Sequence, residues 1–329
     1  MGKSNPIAIV QAGIQHTLER RSLDLKIAVL GADHPDVIGF MINISLSWYH
    51  QGLYGETERL EVKIVDFRRG TVGEKHAKTL EAMVNLGTTR AQQGRFTNSE
   101  ALQVQIFDTR KEALGERHES TLAALLGLAS TWSLQQRYNE AESVQNQVVQ
   151  IGKEILGSKH MLTIAAISNL ALTLRGQGRH EEAEAAQIQV LESRRGILGP
   201  KDRRTISAMC NLGSTLHRQG RYEEAEELNS GSLELRKEVL GPDHPMTFVA
   251  MQNLAATWHL LERYEEAETL MSEVVELRKK IFGGEHPFTI KSSQLLAAWQ
   301  ELSQKPQAET EARQVLGANL SDSMKRRLL

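Results

Sequence analysis

Residues 240–283 read LGPDHPMTFVAMQNLAATWHLLERYEEAETLMSEVVELRKKIFG. Asp243-His244-Pro245 carries helix-start chemistry: a side chain able to cap, then a proline near the first turn, where its missing N–H costs nothing. Met251, Leu254, Ala255, Trp258 and Leu261 follow at three- and four-residue steps and make one apolar helical face. Glu262-Arg263 is a short break. Tyr264, Ala267, Leu270, Met271, Val274, Leu277 and Ile281 then form a second face at helical spacing. Phe282-Gly283 ends it, glycine being the residue best suited to a left-handed helix cap. The stretch is a helix–turn–helix.

The same closing step recurs every 42 residues, at Gly31, Gly73, Gly115, Gly157, Gly199, Gly241 and Gly283. Each is preceded by an apolar residue: Leu30, Val72, Leu114, Leu156, Leu198, Leu240 and Phe282. A period of this length predicts a stacked solenoid, with first helices starting near residues 34, 76, 118, 160, 202, 244 and 286. The break inside each unit holds Gly52, Gly94, Gly178 or Gly220, with Gln136, Glu262 and Gln304 replacing glycine elsewhere. Arg95-Phe96, Arg137-Tyr138, Arg221-Tyr222 and Arg263-Tyr264 follow it, then Ala141, Ala183, Ala225 and Ala267, small enough for two helices to approach closely. Each amphipathic hairpin leaves an apolar face that only a neighbour can cover.

The ends depart from the pattern. Residues 11–30 read as a second helix without a first, Leu18, Leu25 and Val29 aligning with Leu228, Leu235 and Val239. Pro306 interrupts the last break, and residues 321–329 are polar and basic, as suits a terminal cap. The expected division is a half repeat over 1–33, a repeat array over 34–306 and a capping helix and tail over 307–329.

A chain of 329 residues ordinarily suggests about two domains, but an array grows by adding units. Lys plus Arg number 39 against 41 acidic residues, so no general basic field favours nucleic acid or anionic membrane. The single cysteine, Cys210, permits no internal disulfide and fits a reducing, cytoplasmic setting. No apolar run approaches the roughly 18 residues of a membrane span, and no secretory signal opens the chain. Met1-Gly2 lacks Ser or Thr at position 6, where Pro6 stands, so it is a poor myristoylation site. Gly2-Lys3-Ser4 lacks the upstream glycine and strand of a phosphate loop.

The blocks Leu240-Gly241-Pro242-Asp243-His244-Pro245, Gln252-Asn253-Leu254-Ala255 and Arg263-Tyr264-Glu265-Glu266-Ala267-Glu268 resemble the tetratricopeptide repeat in its 42-residue form. The resemblance covers roughly residues 11–320 and is closest to the repeats of kinesin light chains and of fungal and bacterial NB-ARC or NACHT ATPases. It implies an all-α, right-handed superhelical solenoid of about seven hairpins plus an N-terminal half repeat. It also implies a protein-binding scaffold or adaptor that takes a peptide in its concave groove. Two other roles stay open: the sensor or autoinhibitory region of an NB-ARC or NACHT-type ATPase, and a kinesin-light-chain-like cargo adaptor. The absence of a long heptad seam ahead of the repeats argues against a motor subunit, and no nucleotide-binding domain precedes them.

Asn43, Asn85, Asn169, Asn211 and Asn253 share one phase on the first helix, broken by Gly127 and Leu295. The resemblance places this position on the concave wall, where such asparagines bond the backbone of a bound peptide; the amide donates and accepts at once. The alternative is that each asparagine bonds a neighbouring helix and sets the stacking. Arg175, His217, Arg218 and His259 follow on the same face, with Lys291 opening the last first helix, where earlier copies offer Tyr49, Ala91 and Ser133. The groove is therefore expected to favour an acidic partner segment towards its C-terminal half.

Other recurrences have plainer explanations. His34, His76, His118, His160, His244 and His286 stand two packed helices apart, at ~8–10 Å per helix, and cannot share a zinc whose ligands lie about 2 Å away. They are expected at helix starts. Trp48, Trp132 and Trp258 share a phase suited to packing between helices. Glu223-Glu224 and Glu265-Glu266 favour the dipole at second-helix starts. Cys210 has no phased acid–base partner, and no nucleophile elbow, zinc-protease helix or dinucleotide loop occurs. The expectation is a binding protein, not an enzyme, without cofactor or metal.

Overall fold

The computed structural model describes residues 6–303, with side chains from His16 to Glu301. Every regular element among the described residues is an α-helix. Helix α1 (Pro6–Leu30) stands first. Six hairpins follow: α2 (Pro35–His50) with α3 (Tyr54–Val72), α4 (Ala77–Gln92) with α5 (Phe96–Leu114), and α6 (Glu119–Leu134) with α7 (Tyr138–Ile155). Then come α8 (Met161–Gly176) with α9 (His180–Leu198), α10 (Arg203–Arg218) with α11 (Tyr222–Leu240), and α12 (Pro245–Leu260) with α13 (Tyr264–Phe282). Helix α14 (Pro287–Ser303) ends the described array. The seventh hairpin's second helix and the 307–329 segment lie outside the described residues. None of the described helices is long and apolar enough to cross a membrane.

The closing glycines show why the 42-residue beat is strict. Gly73, Gly115, Gly199, Gly241 and Gly283 have φ of 85–96° with ψ of 159–167°. This is not the αL cap expected from sequence but the region at positive φ and extended ψ that only glycine occupies readily. Asparagine, which tolerates αL, is no substitute there.

Three residues on, the phased histidines cap the first helices. Nδ1 of His34, His76, His118, His160, His244 and His286 accepts from the backbone N–H two residues later, at 3.1–3.3 Å. Asp202 performs the same task for α10. The cap is thus His244, not the adjacent Asp243. A ring nitrogen that accepts in this way is not protonated at that atom.

Inside each hairpin Ala141, Ala183, Ala225 and Ala267 are fully buried, as the close approach of two helices requires. Apolar clusters run through the stack, around Met41, Met83 and Ile106, then Leu122, Val148 and Ile164, then Phe248, Met251 and Met271.

Between repeats a row of carboxylates acts as a clamp. Glu58, Glu100, Glu142, Glu184 and Glu226 on second helices accept from Arg95, Arg137, Arg179, Arg221 and Arg263 at the next repeat's turn, at 2.5–2.9 Å. Trp132 and Trp258 donate Nε1–H to Glu100 and Glu226 of the same clamps, so these tryptophans are polar anchors as well as packing. Arg137, Arg179, Arg221 and Arg263 also hold Glu140, Glu182, Glu224 and Glu266, so the acids at second-helix starts serve ion pairs as well as the dipole.

First helices of successive repeats also touch directly, which places them on the tighter, concave side of the curve. The array curls until its ends meet. Helix α1 packs on α13, and a Cβ built at Gly52 in the α2–α3 turn would lie 3.7 Å from Nε2 of His286.

Candidate functional site

The concave wall is built from one face of each first helix. The asparagine row lies on it, but its members differ. Asn169 donates Nδ2–H to Ser130 Oγ at 2.8 Å, and Asn253 donates to Ser214 Oγ at 3.4 Å. In each case the acceptor sits 39 residues earlier, on the preceding first helix. At the same offset from Asn211 stands Leu172, and from Asn85, Leu46, neither of which can accept. Stacking therefore occupies one donor of two asparagines. Asn85 and Asn211 are half-buried and Asn43 is exposed.

Of the expected cations, Arg175 and Arg218 are close enough for their charges to interact. Arg175 closes α8 half-buried, and its Nη1 donates to the carbonyl of Asn211 at 3.4 Å. Arg218 closes α10, also half-buried. Burial first, then the Arg218 charge, pushes Arg175 down to about 10. Burial likewise lowers Arg218, with the Tyr138 hydroxyl opposing. Neither guanidinium has a carboxylate within ion-pair distance among the described residues. Such an arrangement is costly unless an anion completes it. Tyr138 forms a wall of this region: a Cβ at Gly176 would lie 2.6 Å from its ring, so only glycine at the end of α8 admits it. The tyrosine thus packs across onto the next hairpin and does not merely cover its own turn.

The remaining predicted groove residues do different work. His217 pairs Nδ1 with Thr257 Oγ1 at 3.2 Å and meets Tyr222 edge-on. His259 stacks on Trp299 with ring centroids 4.4 Å apart, and burial lowers its pKa to about 4. It presents a neutral ring near neutral pH and adds no charge. Lys291 is exposed. In the early copies Tyr49 meets Tyr54 edge-on, and burial raises its hydroxyl to about 12.

Two phased rows escaped the reading of motifs. Arg68, Arg110, Arg194, Arg236 and Arg278 each donate to the backbone carbonyl ten residues on, with Gly152 in the gap. Glu61, Gln103, Gln145, Gln187 and Asn229 form a buried polar row on second helices, which Met271 continues. Both were detectable by alignment at 42 residues, but on second helices, where polar residues read as solvated faces.

The tetratricopeptide repeat family matches the chain along residues 78–154, 133–196, 162–229, 204–270 and 253–319. No curated protein matches the sequence. Among solved structures, a Podosopora anserina protein named for kinesin light chain and nearly identical TPR-like repeats is 23% identical, with TM-score 0.51 over 61% of this chain and 95% of that one. BtubC from P. vanneervenii is 18% identical, with TM-score 0.54 over 73% of this chain and 93% of its own. A Rap protein solved in complex with Competence and Sporulation Factor is 12% identical, with TM-score 0.56 over 91% of this chain and 89% of its own. At these identities the likeness is one of fold.

Proposed function

Because the chain belongs to the tetratricopeptide repeat family, we propose that it is a binding module, not an enzyme, which holds an extended acidic segment of a partner protein against its concave wall. The observation that carries this reading is the Arg175–Arg218 pair, two half-buried cations with no carboxylate of their own. A carboxylate from the partner relieves their mutual repulsion and gains charge-assisted hydrogen bonds in a partly desolvated site. The asparagine amides along the wall fix the partner's backbone on either side. The 34–306 array is the unit that binds, with 1–33 and 307–329 as its flanks. That a Rap protein was solved with a factor bound supports such use of this fold.

The test begins by selecting peptides from a random display library on the full chain. The selected peptides are expected to be rich in Asp and Glu. Arg175→Glu with Arg218→Glu should weaken them at least 30-fold, about 2 kcal/mol, and Asn169→Ala, Asn211→Ala, Asn253→Ala at least fivefold, both with unchanged melting. Selected peptides without acidic bias, or full affinity in the charge-reversed variant, would overturn the reading.

A further inference from the structure

The break in the asparagine row at Gly127 coincides with a cleft of about 380 Å³ between α4 and α6. That is the lower end of the ~300–1,000 Å³ range of ligand sites. Its lining includes Glu81, Asn85, Gln103, Arg110, Gly127 and Leu134. Gln103 reaches it from behind, from α5, and is 3% exposed. Its Oε1 is buried without a hydrogen-bond partner. Two glycines make the room. A Cβ at Gly127 would stand 2.9 Å from that Oε1, and one at Gly87 would stand 3.2 Å from Nε2. The amide is thus seated between two first helices at the one place where the concave wall lacks a side chain in the asparagine phase.

An unpaired buried amide acceptor is expensive, and this fold accepts an apolar residue at the same phase, Met271. The charges nearby decide what could satisfy it. Arg110 is already engaged with the carbonyl of Ser120 at 3.0 Å, and burial lowers its pKa while Glu81 opposes. The two charges offset one another, so neither an anion nor a cation gains much here. A neutral group that both donates and accepts fits the Gln103 amide, and Val84, Ala123 and Leu134 offer an apolar wall for an aliphatic stem.

We propose that this cleft takes the side-chain amide of a glutamine or asparagine from the bound segment. The ligand N–H bonds Gln103 Oε1, and the ligand carbonyl accepts from Gln103 Nε2 or Asn85. Interchanging the two ends of the Gln103 amide leaves the match intact, since the ligand offers both partners. The inference rests on the concave face being the binding face. It adds a neutral, amide-reading subsite to the basic one.

N-acetyl-glutamine methylamide is the probe, with the norleucine and glutamate analogues as controls, all carrying the same backbone amides. Titration into the full chain, followed by the backbone amide resonances of Gly87 and Ala123 beside the cleft, should show saturable shifts at least fivefold stronger for the glutamine probe. Gly127→Asn should abolish that preference by filling the cleft. Gln103→Leu, which keeps the volume, should abolish it without altering the fold. Equal shifts from norleucine, or a preference that survives Gln103→Leu, would overturn the proposal. Such a failure with acidic-peptide binding intact removes only the cleft; failure of both removes the groove reading as well.

Discussion

The two halves of the array share one backbone plan and carry opposite chemistry. In the N-terminal half the buried row on second helices includes Glu61, and the concave wall holds a cleft lined by Glu81 and Arg110 around a neutral amide. In the C-terminal half the wall carries Arg175, Arg218 and Lys291, and the depressed imidazole of His259 lies there. The clamps and closing glycines are alike throughout. Regularity therefore belongs to the scaffold, and selectivity belongs to the positions where copies disagree. Because repeats contact mainly their neighbours, each half should report its own chemistry in local stability.

The largest effect is expected at Glu61. Its Oε2 has no hydrogen-bond partner, and burial, opposed in part by the Thr89 hydroxyl, raises the carboxyl to about 7. The unfolded chain ionises near the ordinary value of 4.5 while the native chain keeps its proton, so stability falls as pH rises from 4.5 to about 7. Glutamine already occupies this phase at Gln103, Gln145 and Gln187. Glu61→Gln should stabilise the N-terminal half by roughly 2–3 kcal/mol at pH 8 and by almost nothing at pH 4. Hydrogen exchange of α2–α4 at the two pH values reads this; a gain independent of pH would mean that the ionisation of Glu61 is not the cause.

The fold was legible because a 42-residue period leaves few architectures, and the hairpin boundaries followed from Gly, Pro and the Arg-aromatic steps. The charge of the groove was legible only in part. Arg175 and Arg218 could be phased, but their want of a carboxylate depends on what the next helix brings. His259 counted as basic until the stack on Trp299 supplied the desolvation that keeps it neutral. The clamps were half legible, since the arginines stood out while Glu100 or Glu142 looked like any exposed acid on a second helix. Gln103 was invisible, because an unpaired amide is a property of surroundings and not of a motif.

His259 should give the next largest effect, with the opposite sign in pH. Its folded pKa of about 4 lies below the ordinary 6.5, so the unfolded chain takes up a proton first and stability falls as pH drops from 6.5 towards 4. Allowing for partial solvent screening, the loss between pH 7 and 5 is about 1 kcal/mol. His259→Phe keeps the stack on Trp299 and removes the titration. Exchange in α12–α14 should then lose about 1 kcal/mol less on acidification than in the wild type. If it loses as much, other groups set the acid response of this half and the pH contrast between halves fails there.

The smallest effect tests whether the halves differ in backbone as well as side chains. Gln136 stands in the middle of the α6–α7 break with φ of 63°, and Glu262 in the middle of the α12–α13 break with φ of 61°. At the same phase Gly52, Gly94, Gly178 and Gly220 adopt φ of 75–83°. A side chain in this left-handed region is strained, but glycine also frees the unfolded chain, so the net gain from substitution is only about 0.5–1 kcal/mol. Gln136→Gly and Glu262→Gly should each raise stability by that amount, measured by urea unfolding with an unchanged slope. Equal gains would locate the contrast between halves wholly in the side chains of the wall and the buried row. Unequal gains would mean that the turns themselves differ, and that the contrast between halves extends to the backbone.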